Sequence, residues 1–126
     1  MPAAPLDAKS RRYAGRVDPD YSPEQVAELL ASDEIQLIDV REQHEYQAGR
    51  IGGARLIQLA ELAQAADTIG RDKPIVFYCR SGARSAMASD AFRGVGYDAH
   101  NMTGGLLAWD AAGLPLEPDE GYVAPS

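Results

Sequence analysis

The only cysteine of the chain, Cys79, ends the apolar run Ile75, Val76, Phe77, Tyr78 and is followed at once by Arg80, Ser81, Gly82, Ala83, Arg84 and Ser85. A thiol so placed has two uses. It can serve as a small core hydrophobe, the commonest fate of a free cysteine, or as a nucleophile, which requires the thiolate. An ordinary cysteine with a pKa near 8.5 is only about 3% ionised at pH 7. Lowering that pKa by about two units takes roughly 2.7 kcal/mol of preference for the anion. A helix N-terminus typically supplies about 0.3 to 1 kcal/mol, so the rest must come from direct N–H donors and neighbouring cations.

The residues after Cys79 carry those parts. Gly82 allows a backbone conformation closed to other residues. Ser81, Ala83 and Ser85 are small enough for successive N–H groups to converge on one point as an anion-binding nest. A helix starting near Ala83 aligns further donors with it. Arg80 and Arg84 concentrate positive charge that a purely structural strand-to-helix turn would not need. The pattern predicts a reactive thiolate beside a pocket for an anion.

The elements that must position this loop alternate in type. Ser22, Pro23 and Gln25 read as the cap, first residue and capping-box partner of a helix carrying Val26, Leu29 and Leu30. "EIQLIDV" is a short buried strand ending near Val40. "EQHEYQAG" reads as a short helix closed by Gly49, and "IGGARLI" as a turn into a second strand. "LAELAQAADTI" has the composition of a helix. "KPIVFYC" is the clearest strand. "ARSAMASDAFRGVG" is a helix on which Ala83, Met87, Ala91 and Val95 recur every four residues as the expected packing face. "YDAHNMT" reads as a strand and "GGLLAWDAAGLP" as a last helix. Such alternation implies an α/β fold, a mostly parallel sheet with helices on both faces. In open sheets of this kind ligands gather beyond the carboxyl ends of the strands, which is where Cys79 falls.

Whole-chain properties narrow the function classes. At 126 residues, 45% hydrophobic and 25% charged, the chain has the balance of one soluble globular domain able to bury a core without disulfides. A single cysteine cannot form an internal disulfide, and no stretch reaches the roughly 18 to 20 apolar residues of a membrane span. With no secretory signal in the first residues, the expected location is cytoplasmic. Four basic residues against one acidic give residues 1–16 a local charge of +3, leaving −10 of the total −7 to the rest. The folded body is therefore not expected to bind nucleic acid. The expected organisation is a flexible basic leader over 1–19, one domain over 20–116, and an acidic, loosely attached tail over 117–126.

Five segments, in order, resemble the rhodanese domain family of sulfurtransferases: "LIDVRE", "EYQAGRIGGA", "IVFYCRSGARS", "GY" at Gly96–Tyr97, and "MTGGLLAWDAAGLP". Together they cover most of residues 21–116. The resemblance implies a five-stranded parallel sheet, Cys79 as catalytic nucleophile and Arg80 to Ser85 as the substrate-binding loop. It implies that Asp39 and Arg41 form a structural ion pair at the rim. The activity it implies is transfer of sulfane sulfur from thiosulfate or a similar small anionic donor to cyanide or a thiol, through a persulfide on Cys79, with no cofactor. Where many members of the family read G-H-I-P-G-A, this chain has Arg50 for the histidine and Gly52 for the proline.

The same residues admit other readings. Phosphatases and arsenate reductases of this fold have five residues between the cysteine and the arginine; here four separate Cys79 from Arg84, a smaller loop suited to sulfur. A persulfide relay to a specific protein acceptor is the principal alternative, and a non-catalytic interaction module is disfavoured by the presence of Cys79. His44 and His100 lack metal-ligand spacing and no metal is expected. Trp109, Met87 and Met102 read as core residues.

Overall fold

The computed structural model describes residues 20–126; the leader expected over 1–19 lies outside them. Four strands, β1 (Gln36–Asp39), β2 (Arg55–Leu56), β3 (Ile75–Tyr78) and β4 (Ala99–Asn101), pair in parallel in the order β2-β1-β3-β4. Among the described residues five α-helices precede, connect or follow them: α1 (Pro23–Ala31), α2 (Gln43–Ala48), α3 (Leu62–Ala65), α4 (Ala83–Gly94) and α5 (Gly105–Ala111). Every strand crossover contains helical turns, as parallel pairing requires.

The predicted sheet with helices on both faces is present, but the fifth strand is not found among the described residues. In its place a single parallel bridge joins Tyr21 to Met102. The Tyr21 N–H donates to the Asn101 carbonyl and the Thr103 N–H to the Tyr21 carbonyl, each at 2.9 Å. Ser22 then caps α1 and Pro23 begins it, so the chain leaves the sheet edge after one residue. The cap is reciprocal: the Gln25 N–H donates to Ser22 Oγ and the Ser22 N–H to Gln25 Oε1.

β3 lies between two strands and all four of its residues are buried, the reason it reads as an unbroken apolar run. Its side chains alternate between two cores. Ile75, Phe77 and then Cys79 join Ile38, Leu62, Ala88 and Phe92 beneath α3 and α4. Val76 and Tyr78 join Val26, Leu29, Met102, Leu106 and Trp109 beneath α1 and α5. Cys79 thus leaves the sheet at the head of one core and at the carboxyl end of the central strands.

Helix α4 turns the opposite way from the one its apolar spacing suggests. Met87 is 64% exposed and Val95 66%, while Ser85, Ala88, Ser89 and Phe92 are buried. Small residues let the helix sit close against β3, and Phe92 anchors it edge-on to Phe77 at 5.1 Å between ring centres. The buried hydroxyls remain satisfied: Ser89 Oγ donates to the Ala86 carbonyl, and Ser85 belongs to the loop described below. Met102 and Trp109 are core residues as expected; Met87 is not.

The segment expected as a loose tail runs back across the body. Glu117 forms an antiparallel bridge with Arg50, and Ala124 is buried. Among the described residues no helix is long and apolar enough to cross a membrane.

Inverting the face of α4 has a direct consequence for stability. Met87→Gln should change the unfolding free energy by no more than about 0.5 kcal/mol, whereas Phe92→Ala should cost about 3 to 5 kcal/mol. Urea unfolding monitored by circular dichroism compares the two; the reverse ranking would show the apolar stripe to be the packed face.

Candidate active site

Beyond Tyr78 the chain must convert from strand to helix within four residues, and the amino end of α5 organises the turn. The first N–H groups of a helix have no partner inside it. Here the Leu106 N–H donates to the Cys79 carbonyl at 2.8 Å and the Leu107 N–H to the Arg80 carbonyl at 3.0 Å. With those carbonyls drawn toward α5, the N–H groups of the following peptides are free to face the sulfur. Gly105 makes this approach feasible, because a Cβ there would lie 2.5 Å from the Arg80 carbonyl oxygen. The "TGG" segment is therefore the seat on which the cysteine loop rests.

Cys79 Sγ sits inside that turn, with the residue only 1% exposed. The Gly82 N–H donates to Sγ at 3.1 Å, from a glycine in the left-handed conformation at φ 109°. Ser85 Oγ approaches Sγ at 3.4 Å from the first turn of α4. Burial alone pushes the Cys79 thiol pKa up. The Ser85 hydroxyl and the backbone groups of Ser85, Gly82 and Ser81 outweigh that effect, so the pKa lies below its ordinary value. The nest anticipated from small residues is thus a set of donors around one sulfur atom.

The two arginines have separate fates. Arg84 forks onto Glu45, Nη1 to Oε1 at 2.9 Å and Nη2 to Oε2 at 3.0 Å. Burial pushes the Glu45 carboxyl up, but the Arg84 fork, the Glu42 backbone and nearby Arg41 hold its pKa below the usual range. The Arg84 pKa is raised, chiefly by Glu45 and to a lesser degree by Cys79. Arg84 is therefore held as half of an ion pair with Glu45. Arg80 has no carboxylate partner among the described residues; its Nε donates to the Ala124 carbonyl at 3.1 Å.

Asp39 and Arg41 form the expected rim pair, both fully buried, with Nη2–Oδ2 at 2.6 Å. Arg41 Nη2 also donates to the Gly49 carbonyl at 2.8 Å, tying β1 to the end of α2, the helix that carries Glu45. His44 is exposed and His100 stacks on Tyr21, with its Nε2 2.7 Å from Asp98. Among the described residues no cluster of metal-ligating side chains occurs.

Two site residues escaped sequence reasoning. Glu45 shows in the sequence only as the third position of a capping box that starts α2, and its Glu42 partner is indeed present. Nothing local reveals the pairing with Arg84, 39 residues away. Asn101, at the end of β4, places Oδ1 2.6 Å from Ser85 Oγ, so the hydroxyl's single proton serves either Asn101 or the sulfur, and its Nδ2 donates to the Gly82 carbonyl at 3.4 Å. A buried asparagine at a strand end, where apolar residues prevail, was the available signal.

A family model described as rhodanese-like domain matches residues 22–112. An HTH-type transcriptional regulator of Mycobacterium tuberculosis is 46% identical over 75% of this chain, which spans only 43% of that regulator's length. The thiosulfate sulfurtransferase GlpE of Pseudoalteromonas translucida is 34% identical over 70% of this chain and 85% of its own length. Among solved structures, a rhodanese-related protein of Thermoplasma volcanium superposes with a TM-score of 0.73 at 27% identity, covering 77% of this chain and 95% of that one.

A thiol with a lowered pKa keeps its reactivity as the pH falls until its own pKa is reached, after which the thiolate fraction drops tenfold per unit. Ser85→Ala removes the hydroxyl that can turn its proton from Asn101 to the thiolate, and should move that break to higher pH. A charge-assisted bond is worth about 1.5 to 3 kcal/mol, so iodoacetamide alkylation at pH 6 should slow by roughly tenfold or more. An unchanged pH profile would show that the hydroxyl does not stabilise the thiolate.

Proposed function

This chain belongs to the rhodanese-like domain family, and from that premise we propose that it is a sulfurtransferase working through a persulfide on Cys79. The observation that carries the proposal is the enclosure of Cys79 Sγ by hydrogen-bond donors from Ser81, Gly82 and Ser85, with a lowered thiol pKa. A core cysteine has no need of such donors; a thiolate or the terminal sulfur of a persulfide does. The naming of a similar protein as a thiosulfate sulfurtransferase supports thiosulfate as a donor.

In the proposed reaction the Cys79 thiolate attacks the outer sulfur of thiosulfate. A new sulfur–sulfur bond forms to Sγ, the bond to the sulfonate sulfur breaks, and its electron pair leaves on sulfite. The enzyme is left as an anionic persulfide, so charge is conserved. Cyanide or a thiolate acceptor then attacks the outer sulfur, and the second electron pair returns to Cys79. One transfer becomes two displacements at a single nucleophile.

The loop residues take distinct roles in this reading. Backbone N–H groups from Ser81 to Ser85 hold the negative sulfur, with Ala83 opening the helix behind them. Arg80 attracts the dianionic donor. Arg84, fixed by Glu45, adds field at the sulfur without being free to follow the substrate. The four residues between Cys79 and Arg84 leave a turn matched to one sulfur atom, which favours sulfur over phosphoryl transfer. The lone cysteine and its reduced chemistry suit the cytoplasm.

Incubation with thiosulfate should release sulfite and add the mass of one sulfur to Cys79, and subsequent cyanide should remove it as thiocyanate. Cys79→Ser should abolish both steps, a loss of at least about three orders of magnitude for a covalent nucleophile. Sulfur transfer retained by Cys79→Ser, or phosphate release from an aryl phosphate without persulfide formation, would refute the mechanism.

A further inference from the structure

Residues 117–124 do more than terminate the domain. Glu117 pairs with Arg50 through two backbone hydrogen bonds, Arg50 N–H to the Glu117 carbonyl at 2.9 Å and the reverse at 2.8 Å. The Glu117 carboxylate occupies the place of an absent side chain: a Cβ on Gly52 would lie 2.5 Å from its Oε2. The Tyr122 N–H then donates to the Ala48 carbonyl at 3.0 Å, and a Cβ on Gly49 would lie 2.2 Å from the Tyr122 carbonyl oxygen. Val123 packs against the core beneath α1 and α5. Ala124 is 4% exposed, and its carbonyl receives Arg80 Nε. The segment crosses the loop after α2 and ends on the residue that follows Cys79.

Of the two guanidinium groups in the cysteine loop, one is neutralised by Glu45 and the other has no carboxylate partner among the described residues. A carbonyl acceptor on Nε orients Arg80 without cancelling its charge, and leaves both Nη groups for an anion. A flexible arginine would lose that direction and much of its effect on a nearby reaction. We infer that residues 117–124 form a strap that sets the charge selectivity of the Cys79 site by holding the Arg80 guanidinium at its rim. This rests on the reading of Cys79 as a nucleophile that meets an anionic reagent. At Gly52, one of the two departures from the usual family pattern, a side chain would meet only the movable carboxylate of Glu117, so the strap does not require glycine there. Arg50 takes part through its backbone alone, so the strap does not explain the choice of arginine there.

The test compares alkylation of Cys79 by anionic iodoacetate and by neutral iodoacetamide in the full chain, at low salt and with no sulfur donor present. The ratio of the two rates cancels any change in the thiol's own reactivity. Gly49→Ala should expel the strap, since extended backbone accepts alanine and only Tyr122 stands in its way. Ala124→Gln should expel it independently by overfilling a buried position. Each should lower the iodoacetate-to-iodoacetamide ratio about five- to tenfold, as should Arg80→Ala. In an Arg80→Ala background neither strap substitution should lower it further. A ratio unchanged by both strap substitutions, or losses that multiply with that of Arg80→Ala, would overturn the inference. Failure of thiosulfate to load sulfur on Cys79 would instead refute the sulfurtransferase reading, and the ratio would still report on the strap.

Discussion

A sulfur atom removed from water and met by hydrogen-bond donors is the constraint around which this molecule is arranged. Burial by itself favours the neutral thiol, so each donor aimed at Sγ must be held in place before any chemistry begins. The backbone of one short turn supplies most of them, but a turn of this shape does not persist alone. Its carbonyls need partners on the other side, and the uncapped N–H groups of α5 provide these. The same hydrogen bonds thus satisfy a helix end and orient an anion site. Removing either face of that arrangement leaves the other with unpaired polar groups.

Around this centre the charges are layered. Arg41 locks Asp39 and the Gly49 carbonyl, which fixes the end of α2. Glu45 on that helix fixes Arg84, a residue of the cysteine loop. Each ion pair is costly to bury and gains its place by orienting the next group rather than by adding stability. Glu45 carries an acid sensitivity in consequence. Its folded pKa is depressed, so its contribution is present above the ordinary carboxylate range and is lost as the pH falls through the lowered value.

How much was legible in the sequence follows from how local each feature is. The four strands, the capped first helix and the loop from Cys79 to Ser85 are written in contiguous residues and could be read directly. The fifth strand came from the resemblance alone, and Ser22 and Pro23 cut it to a bridge. The face of α4 was misread because periodicity locates an apolar stripe but not the buried partner, and here small hydroxyl residues face the sheet. Glu45 and Asn101 were missed because their roles arise only when distant segments meet. The tail looked loose by composition; its attachment depends on the bare backbone of Gly49, against which the Tyr122 backbone lies, and that purpose appears only in three dimensions.

The dependence of the cysteine turn on α5 also orders events in time during synthesis. Gly105, Leu106 and Leu107 follow Cys79 in the chain by more than twenty residues, and Asn101 precedes them only slightly. A ribosome adds about 5 to 20 residues per second, and the nascent domain folds as its parts emerge. Until α5 has left the exit tunnel the carbonyls of Cys79 and Arg80 lack the partners that α5 gives them in the folded chain. In the proposed mechanism the turn around Sγ is completed only when α5 docks, so the reactivity of Cys79 would follow the folding of the domain rather than the synthesis of the loop.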